Sequence, residues 1–376
     1  MKTMKQWASL LLALALLFTL AACGTAAEET TATSAPEETA EATAEPTAEA
    51  AETEEPAETE EPAAETEEPA AETDGVTVRL AALTGPTAMG MAKIFSDADA
   101  GESANTYDYT LYGAADELTP QILQGNVDIA AVPLNLASVL YNKTSGGVKL
   151  CAVGVLGVLY IAEYNGESVS SLADLKGKTI YATGKGSTPE YFLRYLLSAN
   201  GIDADTDVTI EWKSEPSEVV ALLNAEGEGI AMLPQPYVTA AAAQLGEGFR
   251  TVVSLSDEWD KLSESLGTGS RCVTAGVVVR TEFAEEHPEA VETFLAEYAE
   301  SVEWVNANPA DAGTVCGELE IVKAAIAEKA IPNCNLVCIT GGDMEAAAMG
   351  TLTTLYELNA SAVGGTLPGD DFWFGA

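Results

Sequence analysis

The stretch Asp174-Leu175-Lys176-Gly177-Lys178-Thr179-Ile180 marks the point where a pattern of alternating strands and helices starts for a second time. It leads into a predicted strand from Thr179 to Thr183, a glycine-rich loop and a helix from about Glu190 to Asn200. Two more predicted strands follow, Val208 to Trp212 and Gly229 to Leu233. This second series predicts a second, smaller α/β unit.

The first series lies upstream of that stretch. It begins with an apolar strand from Val76 to Leu83, then a turn and a helix from about Ala88 to Phe95, and continues to a strand ending at Glu163. After the second unit comes a β-branched run, Thr274 to Arg280. Short strands alternating with helices predict an α/β fold with a largely parallel sheet, and residues 76–376 are long enough for two lobes.

A long helix is predicted to begin near Pro288, which suits a first helical turn. Its apolar residues recur at helical spacing, which predicts a core face: Val291, Phe294, Leu295, Tyr298, Val302 and Val305. His287 is interpreted as the residue that precedes this helix, without a catalytic role.

The cysteines outside the N-terminal region divide into two groups. Cys151 and Cys272 lie in apolar, strand-like surroundings and are predicted to be buried. Cys316 has Cys334 and Cys338 as alternative disulfide partners in an exported protein, and the sequence does not choose between them. A chain with one histidine offers a poor zinc ligand set, so no metal site is predicted.

The N-terminus has the pattern of an export signal. Lys2 and Lys5 precede an apolar run from Trp7 to Leu20, which is too short for a stable membrane span. Leu20-Ala21-Ala22-Cys23 resembles the lipobox of bacterial lipoproteins, which implies a lipid on Cys23 after removal of residues 1–22. The alternative is an ordinary signal peptide cut near Ala22.

The segment that follows is an acidic tether. Residues 24–75 consist almost wholly of Ala, Thr, Glu and Pro, with 18 acidic residues and no lysine or arginine. A segment of this composition has too few apolar residues to form a core, so residues 23–75 are predicted to be a disordered tether. The whole chain has a net charge of −42, which argues against nucleic-acid binding.

Three features together resemble a known family. The run Asp174 to Ile180, the strand Ala275 to Arg280 and the region Phe283 to Asn306 with His287-Pro288-Glu289 are similar to the type II periplasmic-binding fold. More narrowly, they resemble the nitrate/sulfonate/taurine-type substrate-binding proteins of ABC importers, which are relatives of thiamine-precursor binders. The resemblance implies two α/β lobes joined by a two-segment hinge, with the ligand in the cleft between them.

The resemblance places residues 76–163 and 273–376 in lobe 1 and residues 164–272 in lobe 2. The chain is expected to cross between lobes near Ile161 to Gly166 and near Arg271 to Gly276.

Ligands of open α/β sheets bind beyond the carboxyl ends of strands, where loops present hydroxyls and backbone N–H groups. On that basis the candidate ligand-binding residues are Thr84, Gly85, Pro86, Thr87, Asn135, Gly186, Ser187, Thr188 and Gln235. Lys185 is a weaker candidate, and Tyr237 offers a ring at the same place as Gln235.

Nucleotide and hydrolase motifs are not satisfied. Gly177-Lys178-Thr179 lacks the earlier glycine of a P-loop because Leu172 stands there, and one histidine leaves none to spare for a catalytic triad. No catalytic residue and no cofactor are predicted.

The expected function is a monomeric solute-binding lipoprotein outside the cytoplasm. It delivers a small solute, such as a sulfonate, a carboxylate or a vitamin precursor, to an ABC permease and its ATPase. The alternative is an enzyme on the same fold, similar to menaquinone-pathway or pyrimidine-precursor enzymes.

Overall fold

A computed structural model describes residues 75–375. The predicted signal peptide, the predicted lipidation site Cys23 and the predicted tether up to residue 74 lie outside these residues. In residues 75–375, no helix combines the length and apolar character needed to cross a membrane.

The elements follow the alternating order that the sequence predicts. The strands are β1 (Thr77–Leu83), β2 (Thr106–Tyr112), β3 (Ile129–Pro133), β4 (Val148–Leu156), β5 (Leu159–Tyr164), β6 (Thr179–Thr183), β7 (Thr209–Lys213), β8 (Gly229–Pro234), β9 (Phe249–Ser254), β10 (Val273–Arg280) and β11 (Leu336–Ile339). The helices are α1 (Pro86–Met89), α2 (Ala92–Ala100), α3 (Ala115–Leu123), α4 (Leu134–Thr144), α5 (Thr188–Ala199), α6 (Pro216–Glu226), α7 (Tyr237–Leu245), α8 (Leu255–Leu266), α9 (Thr281–Glu286), α10 (Pro288–Ala307), α11 (Pro309–Glu318), α12 (Ala324–Ala330) and α13 (Gly341–Leu358).

The strands form two separate sheets, which confirms the two-lobed α/β prediction. The first sheet has the order β11-β4-β10-β3-β1-β2, and the second has the order β7-β6-β8-β5-β9. Only β2-β1-β3 and β7-β6-β8 pair in parallel; β10, β4 and β11 in the first sheet, and β5 and β9 in the second, pair antiparallel. The prediction of a largely parallel sheet is therefore wrong for about half of each lobe.

The chain passes from the first sheet to the second earlier than predicted. Strand β5 pairs with β8 and β9 of the second sheet, so the lobe boundary set at residue 163 is wrong and the crossing lies at Gly157 and Val158. The run from Leu150 to Ala162 is almost continuously buried and apolar, so the sequence pattern does not show where one strand ends and the next begins. The return crossing lies between α8 and β10 and agrees better with the prediction.

Helix α13 joins the two lobes. It packs against α4 of the first lobe and α5 of the second, and one cluster of buried apolar residues runs from the first sheet through Leu352 and Leu355 to Phe192 and Trp259. The lobes therefore share packed surface on the side where α13 lies.

The predicted core face of α10 is confirmed. Val291, Phe294, Tyr298 and Val305 are completely or almost completely buried, and His287 immediately precedes the helix with its ring 5.1 Å from that of Phe283. The two predicted core cysteines, Cys151 and Cys272, are also buried, and the five cysteines in residues 75–375 are free thiols.

A buried carboxylate ties three strands of the first lobe together. Asp128, 3% exposed, lies just before β3. It accepts hydrogen bonds from the Arg79 backbone N–H at 3.0 Å, from Arg79 Nε at 2.8 Å and from Arg280 Nη2 at 3.0 Å. Because Arg79 is on β1 and Arg280 ends β10, this one carboxylate links the base of three adjacent strands.

Acidification should weaken this network. Burial by itself raises the pKa of Asp128, but the hydrogen bonds from Arg79 and Arg280 outweigh burial and hold that pKa below its usual value. A carboxyl whose folded-state pKa lies below its unfolded value of about 4 stabilises the fold fully above that unfolded value and loses this contribution as the pH falls through the folded-state pKa. Calorimetry of wild type and Asp128→Asn should show a difference in Tm that narrows below about pH 4. A difference that stays constant to pH 2 would contradict this account.

Candidate functional site

A large cavity in the described part of the chain lies between the two lobes. It has a volume of about 1010 Å³. Its walls come from the loop after β1, the loop after β8 with helix α7, the inter-sheet crossings, and the segment between α11 and α12. Cavities of drug-sized ligands span about 300–1,000 Å³, so this one is large enough for a small organic molecule.

The loop after β1, which holds four of the candidate ligand-binding residues, forms one wall. Thr84, Gly85, Pro86 and Thr87 all line the cavity. Gly85 has φ 110°, a backbone conformation that side chains with a Cβ rarely adopt, so glycine is required at this turn. The Thr87 hydroxyl is partly used already, because it donates to the Leu83 carbonyl at 2.5 Å.

Gln235, another candidate ligand-binding residue, belongs to the opposing wall. It follows β8, is 4% exposed and lines the cavity. Its Oε1 accepts from the Thr239 hydroxyl at 2.9 Å, and its backbone N–H donates to the Val158 carbonyl at 2.9 Å. Residues 75–375 provide no acceptor for the Gln235 Nε2 group, so this amide is a free donor beside the cavity.

The other predicted contacts do not line this cavity. The Thr188 hydroxyl donates to Asn135 Oδ1 at 3.1 Å, so these two residues satisfy each other across the two lobes. The Ser187 hydroxyl donates to the Gly184 carbonyl at 2.7 Å, and the Gly186 N–H donates to Glu190 Oε2 at 2.7 Å. Their polar groups are used within the protein, and Lys185 is exposed away from the cavity.

Two parts of the wall were not predicted. Thr274 on β10 lines the cavity, and its Oγ1 is buried without a hydrogen-bond partner in the described part of the chain. The segment from Gly317 to Ile326 supplies Glu320 and Lys323, the two charged residues of the wall. The hydroxyl of Thr274 interrupts an otherwise apolar predicted strand, and this irregularity could have indicated a binding residue. The segment after α11 contains no local motif that would indicate one.

The cavity is predominantly apolar. Its wall includes Leu83, Val155, Val158, Ile321 and Ile326, together with proline and alanine side chains. Hydroxyl and amide groups at Thr84, Thr274 and Gln235 interrupt this surface at a few points. Such a surface binds an apolar body and orients it through a small number of hydrogen bonds. Residues 75–375 contain no cluster of side chains suited to hold a metal ion.

Comparison with known proteins identifies the family. Residues 113–319 match the NMT1-like family, which covers more than half of the chain. The chain belongs to the NMT1-like family. No curated protein matches this NMT1-like chain.

Solved structures confirm the fold of this NMT1-like protein. An ABC transporter protein from Parabacteroides distasonis is 20% identical, with a TM-score of 0.66 over 79% of this chain and 98% of that chain. The aliphatic sulphonate-binding protein SsuA from Escherichia coli is 16% identical, with a TM-score of 0.59 over 75% of this chain and 87% of that one. The nitrate-binding protein NrtA from Synechocystis PCC 6803 is 14% identical, with a TM-score of 0.51 over 75% and 81%. The predicted periplasmic-binding fold is therefore confirmed.

Proposed function

We propose that this protein is the solute-binding component of an ABC importer. The observation that carries the proposal is the cavity of about 1010 Å³ between two lobes that are joined by short crossings. A solute in this position touches both lobes at once. Such a solute stabilises the closed arrangement of the lobes, which is the hinge mechanism of periplasmic-binding folds.

The composition of the wall supports an organic solute with an apolar body. Sulfonates and nitrate are the ligands named for SsuA and NrtA. In this chain the cavity is wide and mostly apolar, with Lys323 as its cation and Glu320 as its carboxylate. A bare inorganic anion would leave most of that apolar wall in contact with water. An organic sulfonate, a carboxylate or a heterocyclic vitamin precursor covers it better.

We propose further that the protein works outside the cytoplasm, attached to the outer face of the membrane through a lipid on Cys23. Two acyl chains give durable attachment, whereas one chain binds only marginally. The acidic tether then keeps a monomeric receptor within reach of its permease and the associated ATPase. Loss of membrane attachment in a Cys23→Ala variant supports this anchor, and unchanged attachment contradicts it.

The function is proposed as binding without conversion of the solute. The cavity wall contains one carboxylate, Glu320, and no histidine or cysteine among the described residues. A stabilising solute should accordingly be recovered unchanged after incubation with the protein, and a product detected by mass spectrometry would favour the alternative of an enzyme.

Gln235 should contribute strongly to affinity. Replacement by leucine keeps the approximate size of the side chain but removes the free Nε2 donor, leaving a ligand acceptor without a partner. We expect solute affinity measured by calorimetry to fall about tenfold. Gln124→Leu, an exposed change at the end of α3, is the matched control and should leave affinity unchanged. Equal solute affinities of wild type and Gln235→Leu would show that the Gln235 side chain does not contribute to binding.

A further inference from the structure

A second, smaller cavity adjoins the main one. It has a volume of about 410 Å³, and Gln235 and Ala243 belong to the walls of both cavities. Like the main cavity, it lies between the lobes, because Thr239 comes from α7 and Lys329 comes from α12. We refer to it as the side pocket.

The side pocket has a positive charge that nothing in its wall neutralises. Lys329 has no ion-pair partner within residues 75–375, and the residues that line the side pocket include no Asp or Glu. The main cavity differs, since Lys323 shares its wall with Glu320. In a chain with a net charge of −42, an uncompensated lysine beside a cavity is a favourable position for an anionic group.

The polar groups around Lys329 link the two lobes. The Tyr160 hydroxyl on β5 donates to the Asn333 carbonyl at 2.9 Å. Burial raises the pKa of Tyr160 to about 12, so the hydroxyl keeps its proton at neutral pH. A group bound in the side pocket therefore lies between elements of both lobes.

Gln235 stands where the two cavities meet. Its side chain is 4% exposed, and its free Nε2 donor is at the boundary between an apolar compartment and a cationic one. A ligand that extends through this boundary can place an acceptor beside the amide while its two ends occupy different surroundings.

We propose that the side pocket is a subsite for the acidic group of an amphipathic organic acid whose apolar body occupies the main cavity. This inference rests on the proposed solute-binding function. It assigns Lys329 as the residue that distinguishes an acid from an uncharged molecule of the same shape, with Gln235 between the two ends of the solute.

Two fluorescent probes test the proposal with the full-length protein. 8-Anilinonaphthalene-1-sulfonate and N-phenyl-1-naphthylamine share the same aromatic body, and only the first bears a sulfonate. We expect wild type to bind the sulfonate more tightly, and Lys329→Met to weaken sulfonate binding about threefold to fivefold because Lys329 is solvent-exposed. Binding of the uncharged probe should not change.

Control variants separate this proposal from the proposed function. Lys143→Met removes an exposed lysine that belongs to neither cavity wall and should change neither affinity. Ala240→Trp, which places an indole ring in the main cavity, should weaken binding of both probes at least about 100-fold. Suppose that Ala240→Trp weakens binding to this extent but Lys329→Met does not reduce the preference for the sulfonate. The proposed subsite is then contradicted, whereas the proposal that solutes bind in the main cavity is still supported. Two other results would contradict both the subsite and the use of the main cavity for apolar bodies. The first is that both probes bind Ala240→Trp as tightly as they bind wild type. The second is that neither probe binds wild type.

Discussion

Replacing Asp128 by asparagine should lower the free energy of unfolding by about 3 kcal/mol. Asparagine has no charge to pair with Arg79 and Arg280, and the removal of one partner from a buried ionic network costs about 3–5 kcal/mol. The lower end of this range is expected because Arg79 is 38% exposed and water can solvate it when the pair is broken. Urea denaturation at pH 7 measures the change.

Asp108→Asn is the matched control for this variant. Asp108 lies opposite Arg79 on the neighbouring strand β2, but it is exposed and forms no ion pair with that arginine, so its loss should change the stability by no more than about 0.5 kcal/mol. An equal, small effect of the two substitutions would show that the Asp128 network does not hold the base of the first sheet together.

Replacing Ala240 by tryptophan should reduce solute affinity at least about 100-fold, equivalent to about 2.7 kcal/mol. Ala240 is half-buried on α7 and forms part of the cavity wall, so an indole ring at this position occupies the space proposed for the solute. The ring can extend into the cavity without displacing the core, so the fold should be retained. Isothermal titration calorimetry measures the affinity, and circular dichroism checks the fold.

Ala299→Trp provides the control for a bulky substitution on a helix. Ala299 is exposed on α10, outside both cavities, and its replacement should leave affinity and fold unchanged. Wild-type affinity in Ala240→Trp would place the binding site elsewhere.

Local patterns predicted the elements that depend on local physics. The strand β1 and the helix α10 lie within one residue of their predicted starts, because apolar periodicity and a proline at the first helical turn are visible in a short window. The predicted helix from Ala88 to Phe95 is instead two helices separated near Gly90. A Cβ at Gly90 would lie 3.3 Å from the Tyr298 hydroxyl, so a distant helix packs against the chain at this break.

Pairing between distant strands could not be predicted in the same way. Strand β10 lies between β3 and β4 and runs antiparallel to both, although more than 100 residues of chain separate it from them. Distant pairing also explains why the first crossing between the lobes was predicted too late in the chain. The strands β4 and β5 form one nearly continuous buried run, yet they pair with strands of different sheets.

Some of the candidate residues at strand ends line the cavity, and others do not. Thr84 and Gln235 were chosen because they follow strands, and both line the cavity. Asn135 and Thr188 were chosen for the same reason, yet they bind each other across the lobes. Lys323 enters the wall from a helical region far along the chain, and only tertiary packing brings it there.

A thermal-shift screen that compares wild type with Ala240→Trp tests the central claim most directly. The screen includes organic sulfonates, carboxylates, thiamine precursors and nitrate. Binding in the cavity predicts that a solute with an apolar body raises the Tm of wild type, is recovered unchanged, and has no effect on Ala240→Trp. Stabilisation that persists in Ala240→Trp, or no stabilisation of wild type by any of these solutes, would contradict the claim.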